Sequence, residues 1–502
     1  MVGSAACAAG IFVSRMATAT PPRAAPATMA RWLPAVATIV GVAALLYLVY
    51  DPWYLNYDAR YALLWAHDLW HGFTPEYTAD YAPTPHPLQM AVSSIALPFG
   101  DNADRVMVLI TLLCFGALVW LVFRLGSRLF TPWAGALAAL VVLTRPAIER
   151  DAVLAYQDLP FEALIVGAVL LEAVKPKRGV PVLAVLAVAG LLRPEAWVLS
   201  GLYVLYLWAG RTWQERAKLV AVALIAPVVW AASDWIITGD PLHSLHGTSE
   251  LAASNDRRRS ITQVPRWGAA YLAFTLREPL ILGVPIGMVF AWMYRRRQGV
   301  LIVAVVVAML AVFAIGPLFG LPLIGRYVRT PAILLSLFYG AAVFGWQLLP
   351  KHASARRWWM GIGAFALLLS LVFIPKQLSM LRDLDQRFAA DSHLYADLRK
   401  AAEAPKVKAA FAVCAPLSTA DHRPIPYFRF WAAGPPGSVG TVRGHASPLG
   451  ELFLQPRHTK YAKRFYKKNF PKATAPARYT RIYRNRSYAV FASPRCVRRL
   501  PA

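Results

Sequence analysis

The sequence predicts an all-α bundle of about 11 transmembrane helices followed by a small α/β domain outside the membrane. Three observations carry that prediction. The chain of 502 residues is 57% hydrophobic and 16% charged, with a mean hydropathy of +0.44; this is too apolar for a soluble protein and too long for one core. Apolar runs recur as far as Ile374 and then stop, the remainder turning polar and basic. Alternate connections between the runs are rich in Lys and Arg, as cytoplasmic loops are. The formal net charge of +27 then reflects basic loops and contact with anionic lipid or phosphate-bearing substrates, and no nucleic-acid partner is expected.

In chain order, residues 1–30 are rich in Ala, Thr and Pro, contain no acidic residue, and read as a disordered cytoplasmic tail without a cleavable signal. The predicted spans are 32–50, 106–123, 132–143, 159–174, 180–192, 196–209, 219–237, 280–294, 300–319, 331–349 and 358–374. With the N-terminus cytoplasmic, every inner loop is basic: Arg124 and Arg128; Lys175, Lys177 and Arg178; Arg211, Arg216 and Lys218; Arg295 to Arg297; Lys351, Arg356 and Arg357. The membrane unit is thus 31–375, its long outer loops are 51–105 and 238–279, and an extracytoplasmic basic domain occupies 376–502. Only Arg257 to Arg259 and that domain depart from the inside rule, which long translocated segments escape. Within the domain, a helical pattern at 384–402 precedes strand-like runs at 409–414, 427–431 and 487–491.

Chemistry concentrates in the stretch from Asp51 to Leu88, which holds five acidic side chains and three histidines beside the first span. Carboxylates at a membrane rim are costly to desolvate, so this stretch reads as the active-site loop of a membrane enzyme. Asp58 is the candidate general base, with Asp51, Asp68, Glu76 and Asp80 as substitutes; the bland alternative is a surface Asp58 paired with Arg60. Three prolines in APTPHPL hold His86 in a rigid segment, although a lone His is more often structural. A second acidic loop, RPAIERDAVLAYQDLP, offers Asp158, either to orient an acceptor or bind a cation, or merely to cap a helix. The turn LLRPEAW places Arg193 and Glu195 at the outer boundary, and GRYVRTP supplies Arg326 and Arg329. Planar, permanently charged arginines suit a lipid-borne phosphate, the alternative being interfacial snorkelling.

These motifs resemble those of the GT-C superfamily, integral-membrane glycosyltransferases that take a sugar from a polyprenyl-phosphate carrier. YDARYALLWAHDLWHG is similar to the first outer-loop motif of the aminoarabinose and protein O-mannosyl transferases, matching at Asp58, Arg60, Tyr61 and Gly72; YAPTPHPL and GRYVRTP resemble segments later in those enzymes. The resemblance implies a GT-C-like bundle in the plasma membrane that moves a sugar, usually with inversion, onto an envelope glycan, lipid or protein at the outer face. Joined to the reading of the residues, this gives Asp58 as the expected base, with Asp51, Arg60, Tyr61, His86, Asp158 and Glu195 at the sugar and acceptor, and Arg193, Arg326 and Arg329 at the lipid phosphate. Tyr57 stands where many relatives carry a second acid. No cofactor is therefore firmly expected; a divalent Mg, Mn or Ca ion, if used, would fall to Asp58 and Asp158.

Two rival classes are a transporter or lipid flippase, which would place charges at the bilayer midplane and show repeated halves, and a non-catalytic assembly scaffold. Cys414 and Cys496 both lie in the polar C-terminal part, where an oxidising compartment would pair them and a reducing one would leave two thiols.

Overall fold

The structure, a computed structural model, describes residues 27–50 and 54–500. Asp51 and residues 1–26 of the expected tail lie outside the described residues. The helices of the membrane unit are α1 (Ala27–Val49), α2 (Tyr57–Trp70), α3 (Pro87–Ala96), α4 (Ala103–Leu129), α5 (Pro132–Leu143), α6 (Pro146–Val153), α7 (Asp158–Val174) and α8 (Val180–Gly190). They continue as α9 (Glu195–Leu207), α10 (Trp213–Thr238), α11 (His243–Ser254), α12 (Val264–Leu276), α13 (Leu280–Tyr294), α14 (Arg296–Ile315), α15 (Arg329–Phe344) and α16 (Ser354–Val372).

Each apolar run read from the sequence falls on a helix, but length and composition support fewer crossings than about 11. Among the described residues, six helices are long and apolar enough to cross a membrane, or eight if each of two bent pairs is one span. The chain is a multi-pass membrane protein on that ground. α5, α8 and α9 have 12, 11 and 13 residues, which at 1.5 Å per residue gives only about 16–20 Å. They pack within the bundle, α5 between α4 and α15 and α8 against α7, α9 and α10. Small residues bring the backbones together: a Cβ on Gly287 of α13 would collide with the carbonyl of Phe338 on α15, and one on Gly340 with that of Ala134 on α5.

The two bent pairs shape one end of the bundle. α6 and α7 meet at 115°, and the segment ending in α12 meets α13 at 95°. Prolines sit at both breaks, Pro160 in the first turn of α7 and Pro279 just before α13, where a helix can begin but a preceding one cannot continue. Helix ends bearing polar residues are thereby folded back toward that end.

From α16 the chain runs into α17 (Ile374–Glu403), then α18 (Pro405–Cys414), β1 (Leu417–Thr419), α19 (Ile425–Trp431), β2 (Val439–Thr441), β3 (Leu452–Pro456), α20 (Lys460–Tyr466), β4 (Thr480–Arg484), β5 (Tyr488–Ala492) and α21 (Pro494–Arg499). The sheet order is β2-β1-β3-β5-β4, with β1 parallel to β2 and β3 and the other pairs antiparallel. Two of the predicted strand runs, 409–414 and 427–431, are helices. In α18 the buried residues Val407, Ala410, Phe411 and Cys414 recur at helical spacing behind Pro405, a period that a short apolar run disguises. A disulfide joins Cys414 to Cys496, tying the end of α18 to α21.

The C-terminal domain docks on α2, which buries two faces. Ala59 and Leu63 enter the core of the bundle, while Tyr61, Leu64 and Trp65 enter the core of the domain. Polar contacts close the same seam: Asp68 pairs with Arg429, Glu76 accepts from the amide of Gly437 at 2.8 Å, Asp80 accepts from the Ser447 hydroxyl, and the Tyr427 hydroxyl donates to the carbonyl of Leu55 at 2.7 Å.

Candidate functional site

A cavity of about 990 Å³ lies between the bundle and the C-terminal domain. Its bundle side is built by the start of α2, the 81–86 segment, α6, α12 and the 324–329 turn; its domain side by His422, Arg423, Arg443 and Phe465. Asn56 fixes the start of α2, accepting from the amides of Asp58 and Ala59 and donating to the Leu154 carbonyl at 2.7 Å. That cap leaves Asp58 in the first helical turn with its carboxylate on the cavity wall.

Asp58 Oδ2 accepts from Arg326 Nη1 at 2.9 Å, their side chains 18% and 25% exposed. Behind this pair, Asp158 is fully buried and surrounded by arginines: it pairs with Arg193, lies 3.6 Å from Arg329 Nη2 and 3.9 Å from Arg326 Nη1. Arg329 also pairs with Asp151 and, at 2.5 Å, with Glu162; Arg193 pairs with Glu195 at 2.5 Å and packs over the Tyr327 ring at 4.6 Å. Of these paired residues Asp58 and Arg326 are the most exposed, so they are the members of the network that a ligand reaches. The cap of α7 is Gln157, and the Asp158 carboxylate is used for the arginines instead.

The walls are electropositive. Arg150, Arg257, Arg326, Arg329, Arg423 and Arg443 line the cavity against Asp58 and Asp391. Burial pushes the His86 imidazole down to about 3 and that of His422 down to about 4, so neither adds charge near neutral pH. Burial also raises the Asp391 carboxyl to about 6, in spite of the Tyr54 hydroxyl and nearby arginines. Aromatic rings supply flat apolar surface: Tyr81 stacks on His422 at 4.7 Å, with Tyr57 edge-on to the same ring at 5.4 Å.

Of the residues singled out from sequence, Asp58, His86, Arg326 and Arg329 line the cavity, and Asp158, Arg193 and Glu195 support it from behind. Arg60 and Tyr61 do not reach it. Arg60 is fully buried, paired with Asp104 and set over the rings of Tyr427, Phe430 and Trp431 at 5.0–5.1 Å, and Tyr61 packs in the core of the domain. Residues two apart on a helix point in opposite directions, so Asp58 and Arg60 cannot share a partner. The substitutes Asp68, Glu76 and Asp80 are spent on docking the domain. Tyr57, noted from the sequence for standing in place of an acid, lines the cavity, as do Arg150, Tyr156 and the domain residues Asp391, His422, Arg423 and Arg443, which were not singled out. Arg150 alone had a signal, its place in the second acidic loop.

The donor set does not suit a divalent ion. Asp58 and Asp158 both face Arg326, whose guanidinium stands where a cation between them would sit. The trio of close metal-ligand types found among the described residues, Cys414, Glu451 and Cys496, has its two sulfurs in the disulfide.

No protein-family model and no curated protein sequence matches this chain. Solved structures do. The chain is similar to ArnT from Cupriavidus metallidurans bound to undecaprenyl phosphate, with a TM-score of 0.54 and 14% identity over 91% of this chain and 97% of that one. It is similar also to the apo state of the same protein, with a TM-score of 0.54 and 13% identity over 92% and 98%. At such identity the likeness is one of fold, and it agrees with the GT-C-like bundle expected from the sequence.

Proposed function

We propose that this chain is a membrane glycosyltransferase that moves a sugar from a polyprenyl-phosphate carrier to an envelope glycan, lipid or protein at the outer face, with the N-terminus cytoplasmic and the C-terminal domain outside. The observation that carries the reading is the Asp58–Arg326 pair, 2.9 Å apart on the wall of an electropositive cavity. A base and a phosphate-binding cation are needed within one substrate's length of each other, and here they adjoin. The fold it shares with a protein whose structure holds undecaprenyl phosphate supports the donor class.

In the free protein the guanidinium of Arg326 occupies Asp58 Oδ2. A donor phosphate brings its own negative charge to Arg326, competes for the guanidinium, and frees the carboxylate to accept from a hydroxyl. The acceptor hydroxyl then attacks the anomeric carbon, its proton passing to Asp58. The bond from that carbon to the phosphate oxygen breaks, the phosphate keeping the electron pair and Arg326 stabilising the charge. Asp158 holds Arg326, Arg193 and Arg329 in place as a positioning residue.

The test is transfer of labelled sugar from a panel of polyprenyl-phosphate donors in purified membranes, comparing the parent protein with Asp58→Asn. Loss of a positioned base costs about 10²- to 10⁴-fold in rate, and donor binding should persist. No transfer from any donor by the parent protein would instead favour a transporter or scaffold.

A further inference from the structure

A second cavity of about 440 Å³ adjoins the first between α6, α17 and α20, with Arg150, Leu154, Asp391, Arg423 and Phe465 shared as the dividing wall. Its other charged residues are Asp383, Arg387, Arg464 and Lys467, so five cations face two carboxylates. Arg150 is neutralised by Asp151 at 2.6 Å, but the other four cations have less counter-charge. Arg387 and Arg464 share the single carboxylate of Asp383, and Arg423 has only a loose approach to Asp421 at 3.8 Å, leaving its Nη1 buried without a hydrogen-bond acceptor. An orphaned, buried guanidinium nitrogen is unfavourable unless something accepts from it. Lys467 ends α20 at a φ of 51°, a backbone conformation that favours glycine. The C-terminal segment adds no counter-charge, since residues 452–502 carry 14 Lys and Arg and no Asp or Glu.

We propose that this annex binds a phosphate group on a saccharide, so that the acceptor is a phosphorylated glycan or glycolipid whose hydroxyl reaches Asp58 while its phosphate rests among Arg423, Arg464 and Lys467. The saccharide's role as acceptor rests on the glycosyl-transfer reading; the binding site does not. Guanidinium groups at the dividing wall fit a phosphate because two of their donors engage two of its oxygens. A neutral sugar finds no such reward in the annex. The two cavities share Arg150, Leu154, Asp391, Arg423 and Phe465 in their linings, so a ligand held in the annex lies beside the cavity whose wall carries Asp58.

The experiment is equilibrium binding of glucose 6-phosphate and of glucose to the full chain in phosphatidylcholine nanodiscs, at fixed pH and salt, comparing the parent protein with Arg464→Gln/Lys467→Gln and with Arg326→Gln. Both annex side chains are exposed, so their replacement leaves the core untouched. The expected result is that the double variant weakens glucose 6-phosphate at least tenfold while glucose is unaffected, and that Arg326→Gln retains annex binding. Equal affinity of parent and double variant overturns the proposal, as does complete loss in Arg326→Gln, which would put the phosphate in the main cavity. Adding phosphatidylinositol to the disc separates the sources: displacement of glucose 6-phosphate assigns the annex to a lipid headgroup, and lack of displacement to a glycan. Because no turnover is needed, annex-dependent binding without any sugar transfer would remove the proposed function and keep the site.

Discussion

Replacing Arg429 by Leu should release the C-terminal domain from α2. Arg429 and Asp68 are 1% and 2% exposed, and Arg429 Nη2 donates to both Asp68 oxygens at 2.5 Å. The same guanidinium donates from Nε to the Gly434 carbonyl at 3.3 Å and lies 3.6 Å from Glu76. Truncating one partner of a buried pair strands the other charge without water, at a cost of about 3–5 kcal/mol. At 1.4 kcal/mol per decade, that raises the undocked population by roughly two to nearly four powers of ten. Global unfolding of a long membrane chain is not a two-state event, so the readout must be local. Hydrogen exchange of the α2 amides, Tyr57 to Trp70, provides it, because undocking exposes the face that carries Tyr61, Leu64 and Trp65. The variant Asp68→Leu should lose protection as Arg429→Leu does, whereas the double variant should regain more than half of it, since no charge then remains buried. Unchanged protection in Arg429→Leu, or additive losses in the double variant, would overturn this account of the seam. Sugar transfer should fall with docking, as the cavity has one wall on each side of the seam.

Three further outcomes are expected. Asp391, raised to about 6 by burial, penalises the folded state while ionised above that pH, and the penalty is relieved as pH falls through 6 toward its unfolded value near 4. Affinity of the cavity for sulfate, whose own charge is constant over the range, should therefore rise between pH 7.5 and 5.5, and Asp391→Asn should show the low-pH affinity throughout. The Cys414–Cys496 disulfide spans a sequence separation of 82, so Cys414→Ser/Cys496→Ser should destabilise the domain by about 4–5 kcal/mol on the chain-entropy account, seen as faster proteolysis between β3 and β4 with the bundle intact. Gly287→Ala drives a Cβ into the Phe338 carbonyl, so α13 and α15 must separate; detergent-solubilised protein should lose several degrees of thermal stability, while Gly361→Ala, with open space around it, should lose none.

What the sequence determined by itself is the membrane nature of the chain and the position of its helices, because backbone crossing lipid must be apolar residue by residue and that signal is local. The Asp51 to Leu88 stretch also stood out locally, by the cost of its carboxylates. Which of those carboxylates faces a ligand was not legible there. Asp58 meets Arg326 across a separation of 268 residues, and Asp68 meets Arg429 across 361; nothing near either aspartate in the chain distinguishes the one that lines a cavity from the one that clamps a domain. Arg60 shows the same limit from the other side: two residues from Asp58, it is carried by helical geometry to the opposite face and buried under three aromatic rings of a domain that begins more than three hundred residues later. Lys467 lies in a uniformly basic segment where no single charge is conspicuous, and only the packing of α17 against α6 and α20 brings it to one cavity with Arg423. Burial and helix position follow from neighbours in sequence, whereas a site is a coincidence of distant side chains, and tertiary contact alone decides it.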